Sequence, residues 1–171
     1  MFVLLLNPPH TAIGSRVPDD HLPPLGLLAL GGPLRDAGHR VELLDADRVN
    51  MRLNDIVDEV CRRRPDALLV GHSGSTSAHP TIVDVTGMIR ARLPDTLIVY
   101  GGLFPTYHWR QVLQEAPHID IIVRGEGEAT CVRVLTALAR NAPLDDVAGI
   151  AFRANGTPKA TAPATMIQDL D

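Results

Sequence analysis

The sequence predicts an α/β protein in which five parallel strands form an open Rossmann-like or flavodoxin-like sheet, with helices on both faces and a C-terminal β-hairpin. Short continuous apolar runs alternate with longer amphipathic stretches, which is typical of a parallel sheet buried on both faces. The 171 residues fit one domain of ordinary size plus a tail. The 45% of hydrophobic and 21% of charged residues are those of a folded globular chain.

Five short apolar runs are the predicted strands. They are residues 2–6, 40–44, 67–71, 96–100 and 119–123. Amphipathic stretches after these runs predict the helices. The helices occupy about residues 24–37, 54–64, 80–93, 106–115 and 128–141. Gly31-Gly32-Pro33 predicts a kink or an early break in the first helix, because proline removes a backbone hydrogen bond.

Several residues mark the predicted helix ends. Pro24 and Pro80 are favoured in a first helical turn. Asn54 is a good N-cap, and Gly38 suits a left-handed C-cap. The basic run at residues 62–64 suits the carbonyl end of the second helix.

The end of the chain has a different character. Residues 147–153 and 157–161 flank Asn155-Gly156, a pair favoured in hairpin turns. Residues 160–171 are small, polar and proline-containing, which indicates a linker or, alternatively, a frayed tail. We therefore assign residues 1–143 to a binding domain and 144–171 to the β-hairpin and a linker toward an absent catalytic domain.

Charge and hydropathy exclude several partners. The net charge is -4, and no basic surface cluster of the kind that binds nucleic acid is evident. The apolar start of the chain stops at Asn7-Pro8-Pro9, too early for a signal core, and no run approaches the ~20 apolar residues of a membrane span. We expect a cytoplasmic protein that binds no nucleic acid and has no membrane span.

Ligands of an open parallel sheet bind outside the carboxyl ends of its strands, so the loops there are the candidate site. Glycine allows backbone to approach a bulky ligand, and serine and threonine hydroxyls supply neutral donors and acceptors. These loops include residues 7–23, 45–47, 71–79, 101–106 and 124–128.

Common occupants of this fold are excluded by the same loops. Asn7-Pro8-Pro9 follows the first strand, where a dinucleotide-binding enzyme needs a glycine-rich fingerprint. The sequence also lacks the P-loop of a phosphate-binding protein and the acidic residues of a phospho-receiver domain. Residues 71–75 are similar to the nucleophile elbow of α/β-hydrolases. The next predicted helix begins only near residue 80, too far along the chain for the tight strand-to-helix turn of an elbow, so a hydrolase is not predicted. The seven histidines show no zinc-ligand spacing. We predict no catalytic residue and no metal ligand, and hence a module that holds a large cofactor.

In chain order, a series of short motifs resembles the cobalamin-binding domain that precedes the catalytic barrel of cobalamin-dependent radical S-adenosylmethionine enzymes. The motifs are Asn7-Pro8-Pro9, Leu22-Pro23-Pro24-Leu25-Gly26, Ala37-Gly38-His39, Tyr100-Gly101-Gly102 with Pro105-Thr106, and Arg124-Gly125-Glu126-Gly127-Glu128. The resemblance implies that cobalamin is the bound cofactor. It further implies a downstream radical domain with S-adenosylmethionine and a four-iron four-sulfur cluster.

Within that family, residues 71–76 and 103–109 resemble the oxygen-independent cyclases that build the fifth ring of magnesium-protoporphyrin IX monomethyl ester in bacteriochlorophyll synthesis. The resemblance implies a porphyrin substrate for the parent enzyme. A cobalamin-dependent methyltransferase of the same superfamily is the first alternative. A flavodoxin-like sensory or interaction domain without a metal cofactor is the second.

The resemblance and the loop positions together give the candidate cofactor-binding residues. They are Pro9, His10, Ser73, Ser75, Thr76, Ser77, Gly101, Gly102, Leu103, Phe104, Thr106, Arg124, Gly125, Glu126 and Gly127. Arg124 is a candidate partner for a phosphate of the nucleotide tail or a substrate carboxylate, with a surface ion pair as its alternative role. Glu126 and Glu128 are candidate partners of the corrin amides, with negative charge at a helix N-terminus as the alternative. Tyr107 and Trp109 are candidate contacts of the corrin or of the porphyrin substrate, with core or interdomain packing as the alternative.

Two patterns of the wider family are absent. Residues 45–50 lack the histidine of the Asp-x-His-x-x-Gly motif that ligates cobalt from below. We therefore expect the dimethylbenzimidazole tail to lie in a slot beside the third and fourth strands, while His10, His72 and His79 stay open as ligands. Only Cys61 and Cys131 are present, so this chain cannot hold an iron–sulfur cluster alone, and we expect it to bind cofactor without turnover.

Overall fold

Seven strands form one sheet in the computed structural model, which describes residues 1–9, 23–72 and 75–165. The strands are β1 (Phe2–Asn7), β2 (Arg40–Asp45), β3 (Ala67–Val70), β4 (Leu97–Gly101), β5 (Ile121–Val123), β6 (Ile150–Ala154) and β7 (Thr157–Ala160). The helices are α1 (Leu25–Asp36), α2 (Leu53–Arg63), α3 (His79–Arg92), α4 (Leu103–Glu115) and α5 (Glu128–Ala139). Two short 3-10 turns occupy Ser75–Ala78 and Leu144–Asp146.

The strand order is β2-β1-β3-β4-β5-β6-β7, in which β1 to β5 are parallel and β6 and β7 are antiparallel. The predicted parallel five-stranded sheet is therefore confirmed, and the predicted hairpin extends it by two strands. Asn155 and Gly156 have φ of 50° and 79°, the positive values that a type I′ hairpin turn requires. The strand order reverses between β1 and β3, so the ligand edge lies at the ends of these central strands.

Alternate strand residues face opposite helical layers. Leu68, Val70 and Tyr100 face the layer of α2, α3 and α4. Leu69 and Val99 face the layer of α1 and α5. Both layers contain fully buried aliphatic side chains, so the sheet is covered on both faces, as the apolar runs predict.

The predicted early break of α1 is wrong, because the helix continues through Pro33 to Asp36. Leu27 and Leu34, which lie on either side of the glycine pair, are both buried, and α1 packs against α5. This packing holds the helix although Pro33 contributes no backbone N–H. The cap at Gly38 is confirmed by its φ of +84°.

Several element boundaries differ from the predicted ones. Asn54 is not the N-cap of α2, since the helix begins at Leu53 after Arg52. The helix α4 begins at Leu103, three residues before the predicted Thr106. Gly102, with φ of +114°, reverses the chain directly after β4 and allows this early start. None of the helices in the described residues is long and apolar enough to cross a membrane.

Candidate cofactor-binding site

A cavity of about 310 Å³ lies at the carboxyl edge of the sheet, on the face covered by α1 and α5. Its floor is apolar, because Leu69, Val99 and Val123 point to this face from β3, β4 and β5. Its walls come from α1, the loops after the three strands, and α5. The wall residues are Pro24, Leu25, Gly26, Leu27, Leu30, Val70, Gly71, His72, Gly101, Gly102, Leu103, Gly125, Glu126, Gly127, Glu128 and Cys131.

Glycines at the strand ends determine the shape of this cavity. A Cβ atom on Gly71 would lie 3.1 Å from the Gly101 carbonyl oxygen, a tight contact that the glycine avoids where the two strand ends approach each other. Gly101 follows Tyr100 in β4 and therefore points to the cavity face, where it adds no side chain. The result is an open space where larger residues would close the sheet edge.

Two further glycines leave free volume around the cavity. A Cβ atom on Gly26 or Gly125 would meet no atom within 4 Å. Gly127 differs, because its Cβ would lie 2.9 Å from Leu30 Cδ2, so a larger residue there would require Leu30, which lines the cavity, to shift.

The rim of the cavity carries a buried acceptor. Glu128 Oε2, in the first turn of α5, is buried and has no hydrogen-bond partner among the described residues. An acceptor left in this state is unfavourable, so a ligand that donates an N–H or O–H would stabilise it. Burial raises the pKa of Cys131 to about 12, which keeps this cavity thiol neutral.

The loop after β2 is fixed to the end of β1 by hydrogen bonds. The Asn7 side chain donates to Asp45 Oδ1 at 2.8 Å, and the Asn7 carbonyl accepts from the amides of Ala46 and Asp47. His72 Nε2 lies 3.9 Å from Asp47 Oδ2, and His72 lines the cavity. Among the described residues, no group of three or more histidine, cysteine or acidic residues could hold a metal ion.

An aromatic cluster closes the opposite face of the same strand ends. The His79 and Phe104 rings stack with centroids 4.2 Å apart, and the Tyr100 hydroxyl lies 3.4 Å from His79 Nδ1. Burial lowers the pKa of His79 and raises that of Tyr100. His79 and Phe104 thus pack on the α3 and α4 side of the sheet, away from the cavity.

The structure brings some of the predicted site residues together. Those that line the cavity are Gly101, Gly102, Leu103, Gly125, Glu126 and Gly127. Thr106 supports them, since its hydroxyl accepts from the Gly125 amide at 3.0 Å and donates to the Gly102 carbonyl at 2.8 Å.

The remaining predicted residues do not line the cavity or cannot be assessed. Pro9 is buried at the end of β1, Thr76 is exposed, and Arg124 is half-buried beside α4. Ser77 is half-buried in the 3-10 turn. His10, Ser73 and the side chain of Ser75 lie outside the described residues.

The sequence analysis missed the contribution of α1 to the site. Pro24, Gly26 and Leu30 line the cavity although the strand-end loops alone were the expected location. The motif at residues 22–26 contained the signal. Its place opposite α5 depends on the strand order, which brings the first and last helices to the same face.

A glycine-lined cavity at the carboxyl edge of the parallel strands of such a sheet is typical of a cofactor-binding domain. A family model described as the B12 binding domain matches residues 11–135. The chain belongs to the B12-binding domain family, and the predicted resemblance to cobalamin-binding domains is confirmed.

Curated relatives extend this result. Over all 171 residues the chain is 56% identical to the anaerobic magnesium-protoporphyrin IX monomethyl ester cyclase of Synechocystis sp. strain PCC 6803, and it covers 34% of that protein. It is 32% identical to the cyclase of the same name from Rubrivivax gelatinosus, covering all of this chain and 31% of that one. An uncharacterized methyltransferase from Pyrococcus horikoshii is 30% identical, again over the whole chain and 37% of the relative. The chain therefore spans about a third of the length of these relatives.

Solved structures share the fold. The radical S-adenosylmethionine methyltransferase TsrM from Kitasatospora setae, with cobalamin and a [4Fe-4S] cluster bound, matches with a TM-score of 0.78 at 21% identity over 99% of this chain and 30% of that one. The cobalamin-dependent radical enzyme OxsB, with aqua-cobalamin and S-adenosylmethionine bound, matches with a TM-score of 0.80 at 22% identity over 96% of this chain and 22% of that one. At these identities the likeness establishes the fold.

Proposed function

We propose that this chain is the cobalamin-binding module of an anaerobic magnesium-protoporphyrin IX monomethyl ester cyclase. The observation that carries cobalamin binding is the glycine-lined cavity of about 310 Å³ at the carboxyl edge of the sheet, in a chain of the B12-binding family. The narrower assignment is supported by 56% identity to a cyclase over the whole chain.

In this proposal the cavity takes the aromatic base of the cofactor's nucleotide tail. Leu69, Val99 and Val123 supply an apolar floor that excludes water, and Gly26 and Gly125 leave the entrance open. Glu128 Oε2 accepts a hydrogen bond from an amide or hydroxyl group of the ligand. When bound, cobalamin supplies redox-active cobalt chemistry, while the protein supplies binding and orientation.

We further propose that no histidine of this chain ligates the cobalt from below. Asp47 stands where the histidine motif would place its ligand, and His79 packs in the aromatic cluster on the other face. His72 lines the cavity, and His10 lies outside the described residues. The absorption spectrum of the loaded chain tests this, because bands of a nitrogen-ligated cobalamin contradict the proposal.

The remaining parts of the proposal concern the parent enzyme. Its radical domain would carry the four-iron four-sulfur cluster and S-adenosylmethionine, and it would act on the porphyrin. This chain by itself would bind cofactor without catalysing ring formation. A methyltransferase parent is the second candidate, because a methyltransferase relative at 30% identity is about as similar as the Rubrivivax cyclase at 32%.

Cobalamin retention in a cavity-filling variant tests the module. Burying a phenylalanine side chain in the cavity is worth about 2–3 kcal/mol, so Gly26→Phe should weaken cobalamin binding by about 30- to 150-fold. Gly32→Phe is the matched control, since Gly32 lies in the same helix, also has open space around it and does not line the cavity. Binding is measured by the colour retained after desalting. A wild-type chain that retains no cobalamin, or two variants that bind equally, contradicts the proposal.

A domain-exchange experiment distinguishes a cyclase module from a methyltransferase module. In the Synechocystis cyclase, the third of the protein that matches this chain is replaced by this chain, and in a control by the matching part of the Pyrococcus methyltransferase. We expect ring formation with this chain and none with the control, provided that both hybrids retain cobalamin. Hybrids that both hold cobalamin and form equal amounts of product would contradict a cyclase-specific module.

A further inference from the structure

The exposed surface of α4 has a composition unlike an ordinary solvated helix face. Leu103 and Tyr107 lie four residues apart on this helix and are 63% and 74% exposed. Arg110 is exposed three residues further along α4, beyond a kink at His108, whose φ of -108° and ψ of 20° are not helical. Leu103 also lines the cofactor cavity, so this apolar strip begins at the rim of the cavity.

Two guanidinium groups lie close to the single tryptophan, which follows Tyr107 by two residues in α4 and is half-buried. Arg110 Cζ lies 5.1 Å from the centroid of the Trp109 ring, and Arg124 Cζ lies 5.7 Å from it. Neither arginine forms an ion pair with an acidic residue in the described parts of the chain. By contrast, Arg63 pairs with Glu42 and Glu59.

Arg124 is held in place while part of its hydrogen-bonding capacity stays unused. Its Nη1 donates to the Thr161 carbonyl at 3.2 Å, whereas its Nε is buried and has no partner within the described residues. A buried donor in this state favours a ligand that carries an acceptor. Carboxylates match the planar guanidinium group best.

An open groove adjoins this site. It has a volume of about 470 Å³ and runs between α4 and β7, where Trp109 and Arg110 face Pro158 and Ala160. Lys159 also lines it, but this side chain is paired with Asp145. In the described residues, the positive charge of the groove that is not paired with a carboxylate therefore comes from Arg110 on α4, and Arg124, whose Cζ lies 5.7 Å from the centre of the same indole ring, adds a second charge nearby.

We infer that Leu103, Tyr107, Trp109, Arg110 and Arg124, which together form the α4 platform, bind a flat apolar ring that carries a free carboxylate. The apolar side chains contact the ring, and the two arginines bind the carboxylate. Because the platform begins at the cavity rim, the ring lies next to the cofactor. This inference rests on the proposed function, in which the ligand is a porphyrin with one esterified and one free propionate.

Trp109 is the only tryptophan of the chain and reports on the platform directly. The cobalamin-loaded chain is titrated with magnesium-protoporphyrin IX monomethyl ester and, separately, with the dimethyl ester, which lacks the free carboxylate. We expect both to quench the tryptophan fluorescence, with the monoester binding about tenfold more tightly. No quenching by either ester, or equal affinities for the two esters, overturns the inference.

Substitution of the two arginines tests whether they cause the preference for the monoester. The double variant Arg110→Gln with Arg124→Gln should bind the two esters equally, because the charged partners of the carboxylate are gone. Arg140→Gln removes an exposed charge at the end of α5 and should keep the tenfold preference. A preference that survives the double variant overturns the inference.

Cobalamin retention is measured on the same samples, so the two proposals fail separately. A chain that holds cobalamin but does not distinguish the esters refutes the platform alone. A chain that holds no cobalamin refutes the proposed function. Thermal unfolding of each variant verifies that the fold is retained.

Discussion

At the carboxyl edge of the sheet, the two faces are packed differently. On the face of α3 and α4, Tyr100 is 1% exposed, and His79 and Phe104 stack beside it, so the strand ends are closed by rings. On the face of α1 and α5, Gly71 and Gly101 occupy the corresponding positions, and the edge opens into the cavity.

Consecutive residues of one strand produce this difference. Tyr100 and Gly101 are neighbours in β4, and their side chains point to opposite faces because a strand alternates. One residue therefore supplies stability to one face, while the next leaves space for a ligand on the other. The contrast predicts that substitutions on the first face act on folding, and those on the second act on the cavity.

The largest expected effect is on the closed face. Tyr100→Ala removes a buried ring, so the free energy of unfolding should fall by about 3–5 kcal/mol. Tyr107→Ala, which removes the same ring from an exposed position, should change it by about 0.5 kcal/mol or less. Urea unfolding measures both. Equal losses in the two variants would contradict the closed packing at Tyr100.

An intermediate loss of stability is expected when the glycines of the open face are replaced. Gly71→Ala should lower the free energy of unfolding by about 1–3 kcal/mol, because the new Cβ would lie 3.1 Å from the Gly101 carbonyl oxygen and relieving this contact requires a shift of backbone. Gly101→Ala should cost about 0.5 kcal/mol or less, since its Cβ would lie 3.8 Å from the nearest atom, Val123 Cβ. Unfolding curves of the pair decide this. A Gly71→Ala variant as stable as Gly101→Ala would show that the strand ends are less tightly apposed.

The smallest expected effect is on the pH dependence of stability, and it arises from His79 on the closed face. Burial lowers the pKa of His79 below its ordinary 6.5, and the nearby Glu115 opposes this shift. As the pH falls through this range, the unfolded chain takes up a proton that the folded chain resists, so stability is present at higher pH and is lost on acidification. His79→Phe should keep the ring stacking and reduce this loss.

Unfolding free energies at about pH 7 and about pH 5 test the prediction for His79. Part of the loss should remain in the variant, because burial also lowers the pKa of His39 and His118. An unchanged difference between the two pH values in His79→Phe would contradict the assignment to His79.

Local patterns predicted the elements more reliably than their boundaries. The apolar runs gave the parallel strands, and Asn155-Gly156 gave the hairpin turn. The early break predicted at Pro33 is wrong, because burial of Leu27 and Leu34 outweighs one missing hydrogen bond. Of the predicted site residues, Gly101, Gly125 and their neighbours line the cavity, whereas Phe104 packs on the other face, and their part in cofactor binding stays a prediction.

The amino-acid sequence by itself determined the fold class, the glycine-rich strand ends and the cobalamin-binding family, because periodicity, turn residues and motifs are local in the chain. Only the tertiary structure decided that α1 forms a wall of the site and that Arg124 lies beside Trp109. These contacts join segments far apart in the chain. They depend on strand order and on the face to which each side chain points, and no local pattern encodes either.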